Sequence, residues 1–295
     1  MTRTPPAEVV RTLRAEVGFG CPVPGCGNPY LEFHHFDPPF SVEAHHRSEG
    51  MIALCAQHHR KADAGAFTAD QLREYKGNRA NAVLLKGSFD WLRNDLLAVV
   101  GSNFYYETLN IIEIDGRKIV WFRRDEEGYL RLNVEMLSLS PQPRATIEDN
   151  IWGRIGQPLD LRSPPSGKTL EIRYENGDWL LVEFHELSSP EAAFERYKSR
   201  ALLHGSGIQF PITAVEVNFV VASTGLSLSP ASTTLPGNNR IIGGFFAQCG
   251  GGISVDTGLP WRQNTGLSEV PKYRRNAPCP CKGGRRYKQC HGVIR

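Results

Sequence analysis

The chain has 295 residues, 40% of them hydrophobic and 22% charged, which is the composition of a folded protein with room for two domains of about 150 residues each. The net charge of +3 is unevenly spread: residues 1–80 carry 9 basic and 9 acidic side chains, residues 81–270 carry 17 and 22, and residues 271–295 carry 8 and none. No run of about 18 apolar residues occurs, and Arg3, Glu8, Arg11, Arg14 and Glu16 stand where a secretory leader needs an apolar stretch, so no membrane association and a cytoplasmic location are expected.

In chain order, Pro5-Pro6 precede a helical stretch, AEVVRTLRAEV, with Val9, Val10, Leu13 and Val17 on one face. A ligand-rich segment follows, holding Cys21, Cys26 and Cys55 and six of the nine histidines, His34, His35, His45, His46, His58 and His59. In a reducing compartment such a cluster reads as metal binding rather than disulfides. Cys21-x4-Cys26 and Cys55-x2-His58 supply three thiolates and an imidazole, a set suited to tetrahedral structural zinc. His34-His35 end a strand-like run, and alternation along a strand sends the two imidazoles to opposite faces. If residues 58–63 are helical, Asp63 shares a face with His59, so His34, His59 and Asp63 make a second, exposed site for a divalent ion.

Beyond the cluster, Thr68-Ala-Asp-Gln71 has the form of a capping box opening the helix ADQLREYKGNRANAVLL, with Gly77 weakening or ending its first part. From about residue 88 to 265 the texture changes to short β-branched and aromatic runs, with turns marked at Asp115-Gly116 and Asn176-Gly177-Asp178. One helix interrupts the strands, with Ser189 as N-cap and Pro190 in its first turn. The stretch TGLSLSPASTTLPGNNR reads as a long surface loop, and GNNRIIGGFFAQCGGGISVD also suits stacked rungs of a solenoid. Cys249 reads as a small buried hydrophobe, His185 and His204 as satisfied core or surface groups, and Asp125-Glu126-Glu127 as a solvated turn. The tail carries Cys279-x-Cys281-x8-Cys290-His291, again three thiolates and an imidazole, with Gly283-Gly284 allowing the chain to fold back. In so short a module, metal binding supplies most of the folding free energy.

Residues 14–65 resemble the HNH endonucleases, which share the ββα-metal fold, and in particular their zinc-supported members. His34-His35 match the strand pair of that pattern, and IALCAQHHRKAD matches the helix start, with His58 replacing the last cysteine. The resemblance implies that His35 is the general base that activates water, that His34 and His59 bind the catalytic ion (Mg²⁺, Mn²⁺ or Ni²⁺), and that Asp63 is a third ligand. It also implies nucleic acid as substrate, DNA before RNA. The family's central Asn should stand nine residues before His59, where this sequence has Gly50. His45-His46 in the same loop either compensate, contact substrate, or are exposed loop residues.

The tail resembles the SEC-C motif found at the C-terminus of the SecA translocation ATPase and appended to many unrelated bacterial proteins. That likeness implies a zinc module that docks on proteins or ribosomes. No GxxxxGK[ST] pattern is present, so translocation activity does not follow.

The expected architecture is therefore multidomain α+β: an HNH-like ββα-metal domain with flanking helices over residues 1–87, a β-rich domain of unknown role over 88–265, and a small zinc knuckle over 272–295. Two structural zinc ions and one catalytic divalent ion are expected. Beside the nuclease stand two alternatives, a non-cleaving zinc-binding module for nucleic acid or protein, and an adaptor associated with ribosomes or a chaperone.

Overall fold

The computed structural model describes residues 2–80, 85–203, 207–237, 239–261 and 286. The chain divides into two compact units, Met1–Arg262 and Gln263–Arg295. The architecture of the described residues is mixed α+β, rich in strand and poor in helix. None of their helices is long and apolar enough to cross a membrane.

Helix α1 (Ala7–Glu16) starts after Pro6 and buries Leu13, with Val17 buried just past its end. Strand β1 (Leu31–His35) then pairs antiparallel with β2 (Met51–Cys55), Leu31 facing Cys55 and His35 facing Met51. All five residues of β2 are buried, so this strand forms the centre of a small core with Leu13, Val17, Leu31 and Leu72. Helix α2 (Ala56–Asp63) follows β2 without a linker, completing a ββα unit. Helix α3 (Ala69–Gly77) begins at the expected capping box, in which the Gln71 N–H donates to the Thr68 hydroxyl and the Thr68 N–H to the Gln71 side chain.

The regular structure of the remaining described residues is mostly strand. In chain order, the first strand of one sheet is β3 (Gly87–Ser88), and the first strands of the other are β4 (Leu97–Val100) and β5 (Asn103–Tyr106). The chain continues through β6 (Asn110–Ile114), β7 (Arg117–Arg124), β8 (Leu130–Glu135), β9 (Thr146–Glu148), β10 (Ile151–Gly153), β11 (Asp160–Arg162), β12 (Thr169–Arg173) and β13 (Trp179–Leu187). Helix α4 (Pro190–Tyr197), capped by Ser189, precedes β14 (Ile212–Val221), β15 (Leu226–Ser229), β16 (Ser232–Leu235), β17 (Asn239–Ile241), β18 (Phe245–Ala247) and β19 (Ile253–Val255). A seven-stranded sheet runs in the order β19-β6-β7-β8-β9-β10-β3. The other runs β11-β12-β13-β14-β15-β16-β17, with β4 parallel to β14, and β5 and β18 beyond it. Both contribute to one apolar cluster, Ile112, Val120, Leu132 and Trp152 from the first and Leu180, Val182, Val217 and Phe219 from the second.

Three expectations for this region need correction. The Ser/Thr/Pro-rich stretch read as a surface loop forms β15, β16 and the start of β17: Leu226, Leu228, Thr233 and Leu235 alternate inward, and the intervening Ser and Thr face out. The segment offered as solenoid rungs instead adds edge strands, β18 parallel to β5 and β19 parallel to β6. Cys249, expected inside, is exposed because it follows the end of β18.

Two contacts tie the ββα unit to the strands. The Arg14 guanidinium donates to both carboxylate oxygens of the buried Asp160, at 2.9 and 2.6 Å. The Tyr30 hydroxyl donates to the Ser88 carbonyl (2.6 Å) and accepts from the Ser88 N–H (2.8 Å). These bonds cross the boundary expected at residue 87.

Candidate functional site

The ββα unit brings two sets of ligand-type side chains together on either side of α2. Cys21 and Cys26 lie on a tight turn before β1, stitched by the Cys26 N–H to the Val23 carbonyl (3.0 Å) and the Gly27 N–H to the Cys21 carbonyl (3.1 Å). The turn needs positive φ at Gly25 (77°) and Gly27 (62°), which glycine adopts without strain. Cys55 ends β2 and His58 sits one turn into α2, so strand and helix deliver the other two ligands. The ligand atoms of all four residues lie within 4.8 Å of one another. Cys26 Sγ and Cys55 Sγ are 3.8 Å apart, too far for a disulfide, and His58 Nδ1 is 3.4 Å from Cys21 Sγ and 3.3 Å from Cys55 Sγ. A zinc–sulfur bond of about 2.3 Å gives a tetrahedral edge of about 3.8 Å, so this cluster can hold zinc without rearrangement. Burial pushes the Cys21 thiol up to about 12, and Cys26 moves upward for the same reason. A bound cation supplies what burial removes, since a coordinated thiol is deprotonated outright.

The second set faces the other way. His34 Nδ1 and His59 Nδ1 each lie 3.2 Å from a different oxygen of the Asp63 carboxylate. The ligand atoms of these three residues also fall within 4.8 Å of one another, and Asp63 is 46% exposed at its side chain. Burial lowers the His34 imidazole, the neighbouring His59 adds to that, and the Asp63 carboxylate partly offsets it. A site of two imidazoles and one carboxylate suits a borderline to hard divalent ion.

His35 leaves the strand on the opposite side and is 7% exposed. Its Nε2 is 3.0 Å from the His45 carbonyl and 3.4 Å from His46 Nδ1. A carbonyl only accepts, so the hydrogen is on Nε2 and Nδ1 keeps the lone pair. Burial pushes His35 down to about 4, which leaves the ring neutral near pH 7. His34, His35 and Asp63 nevertheless line one cavity of about 390 Å³, together with Arg3, Phe40 and Phe67. The two faces of β1 meet there because the strand ends at His35.

Two residues of this site escaped the sequence, and a third was left undecided. Arg3 lines the cavity, its placement supported by the Thr2 carbonyl bonded to His46 Nε2 at 3.0 Å. Glu32 lies 3.6 Å from His59 Nδ1, and its signal was present, since it is two residues before His34 on the same strand face. His45, left open between a functional and an exposed loop role, is buried. Another Glu/His set, Glu183, His185 and Glu216, already contains its cation: Arg196 donates to Glu216 at 2.7 Å and lies against His185. The C-terminal ligands Cys279, Cys281, Cys290 and His291, and also His204, lie outside the described residues.

No family model matches the chain, and no solved structure matches it. Short stretches match SecA proteins. One is 45% identical over 44 residues to the protein translocase subunit SecA of Methylibium petroleiphilum, covering 15% of this chain and 5% of that protein. Another is 44% identical over 48 residues to SecA of Paraburkholderia xenovorans, covering 16% and 5%. A third is 71% identical over 26 residues to SecA of Ralstonia pickettii, covering 9% and 3%. The chain thus contains a SecA-like SEC-C zinc motif region, and spans about one twentieth of the length of the first two relatives.

Proposed function

We propose that this protein is a metal-dependent endonuclease of HNH type that hydrolyses phosphodiester bonds in DNA. The observation that carries the reading is the convergence of the ligand atoms of His34, His59 and Asp63, two of which, His34 and Asp63, line a cavity together with His35. The two imidazoles and the carboxylate fit a divalent ion such as Mg²⁺, Mn²⁺ or Ni²⁺, and would be its ligands. Such an ion, when bound, supplies Lewis acidity at a phosphate oxygen and offsets charge on the leaving 3′-oxygen.

The chain's own residues do the rest. His35 is neutral and holds its Nε2 hydrogen against the His45 carbonyl, so Nδ1 takes the proton of the attacking water. Arg3 puts a guanidinium into the same cavity, where its fork of donors matches phosphate oxygens. Cys21, Cys26, Cys55 and His58 would hold a structural zinc, which would fix α2, and therefore His59 and Asp63, relative to β1. The SecA-like region at the C-terminus serves as a zinc-dependent docking module for a protein or ribosomal partner.

The test is incubation of the purified protein with plasmid, single-stranded DNA and RNA, with each of Mg²⁺, Mn²⁺ and Ni²⁺ and with chelator. Metal-dependent nicking of plasmid is expected, strongly reduced in His34→Ala and His35→Ala. Binding of nucleic acid without cleavage under every metal would overturn the nuclease and leave a zinc-supported binding module.

A further inference from the structure

The loop between β1 and β2, residues 36–50, encloses one imidazole. His45 is 3% exposed, whereas Ser41, Val42, Glu43, Ala44 and Arg47 around it are exposed. Its Nε2 is 2.9 Å from the Pro38 carbonyl, and its Nδ1 is 3.1 Å from the Arg47 N–H. The carbonyl accepts and the amide donates, so the ring is a neutral Nε2–H tautomer with both nitrogens used. Those backbone partners stand near opposite ends of the loop, and the ring clasps them together. From the same residue, the His45 carbonyl takes the hydrogen of His35 Nε2 at 3.0 Å.

Gly50 leaves the space that the clasp occupies. A Cβ at position 50 would come within 2.0 Å of the Asp37 carbonyl and 2.8 Å of His45 Cε1. Asn therefore cannot stand there in this loop. Gly50 still holds the loop through its own carbonyl, which accepts from the Phe36 and Asp37 N–H groups at 2.9 and 3.2 Å. The side chain that ties this loop together comes from position 45.

We propose that His45 is the positioning residue for His35: its imidazole fixes the loop, and the loop's carbonyl fixes the orientation of the base. The inference rests on the nuclease reading for its effect on turnover, though not for its effect on the His35 ring. His45 is not among the cavity-lining residues, so it acts through His35 and not on substrate.

The experiment compares full-length, zinc-loaded wild type with His45→Gln, which keeps a donor and an acceptor, and His45→Leu, which fills the space without either. ¹⁵N shifts of the His35 ring should report a single Nε2–H tautomer in wild type and in His45→Gln, and a mixture in His45→Leu. On plasmid with Mn²⁺, His45→Leu should lose about 10- to 100-fold in kcat, the scale of a misplaced catalytic group, with KM changed less than about threefold and His45→Gln recovering most of the loss. Equal behaviour of the two variants, or an unchanged His35 tautomer in His45→Leu, would overturn the proposal. If neither variant folds, the wild-type shifts of the His45 ring decide, because an Nδ1–H or doubly protonated ring is incompatible with the clasp. Absence of cleavage by wild type would sink the nuclease reading alone, since the tautomer measurement stands without it.

Discussion

Adjacent residues of α2 turn toward two ligand sets of opposite character. His58 turns toward Cys21, Cys26 and Cys55, a soft, four-ligand set closed by β2 and the glycine turn. His59 turns toward His34 and Asp63, making a set of three harder ligands of which His34 and Asp63 line a cavity, with the carboxylate nearly half exposed. A filled tetrahedron leaves nothing to react and belongs to folding, whereas a three-ligand site at a cavity keeps coordination positions available. One helical residue step, about 100° around the axis, separates the ligand set suited to structural zinc from the one proposed to be catalytic.

The largest expected effect would break the scaffold half. Cys55→Ser removes a ligand from a buried strand end, and because structural zinc binding is folding free energy, residues 7–77 should lose cooperative unfolding and hydrogen-exchange protection. Metal analysis after dialysis should give about two zinc ions per chain in wild type, by the count of one ion per four ligands, and about one in both Cys55→Ser and Cys290→Ser. Only the first should lose the ββα fold.

On the chemical half, His35→Ala should lower the cleavage rate by about 10²–10⁴-fold at unchanged zinc content and unchanged DNA affinity, because a base acts in the transition state. Asp63→Ala should behave as the mirror image of Cys55→Ser, with native stability and zinc but a raised Mn²⁺ requirement, read by titrating the metal in a nicking assay. Gly50→Ala links the two halves, since its Cβ would meet the Asp37 backbone carbonyl first and the His45 ring next. It should cost about 1–3 kcal/mol in a denaturant midpoint, as overpacking does, and lower turnover through His35. The smallest effect is expected for Glu32→Gln, which removes a carboxylate beside His59 and should weaken divalent-ion affinity on the order of tenfold without changing fold or zinc.

How much of this was readable depended on how local each feature is. The ligands of both centres are set by i,i+3 and i,i+4 spacings on α2 and by alternation on β1, so Cys55, His58, His59, Asp63, His34 and His35 can be sorted from sequence alone. Arg3 and His45 were not readable in the same way, because a hairpin loop of fifteen residues and an N-terminal segment bring them in by paths that no period describes. The strands at 226–241 were obscured by composition: Ser, Thr and Pro suggest a loop, while the alternation of Leu226 with Leu228 and of Thr233 with Leu235 is the stronger physical signal. The role of the two sheets has no counterpart in such local patterns.

The Arg14–Asp160 pair carries a practical consequence for anyone who would lift the N-terminal unit out of this protein. A fragment ending at residue 87 keeps every ligand of both centres, yet leaves behind the carboxylate that neutralises Arg14 and the backbone that seats Tyr30. Breaking a buried ion pair by removing one partner costs about 3–5 kcal/mol, a large share of what so small a unit can spare. The head is therefore no portable cassette: a graft onto another scaffold would have to bring its own acid for Arg14.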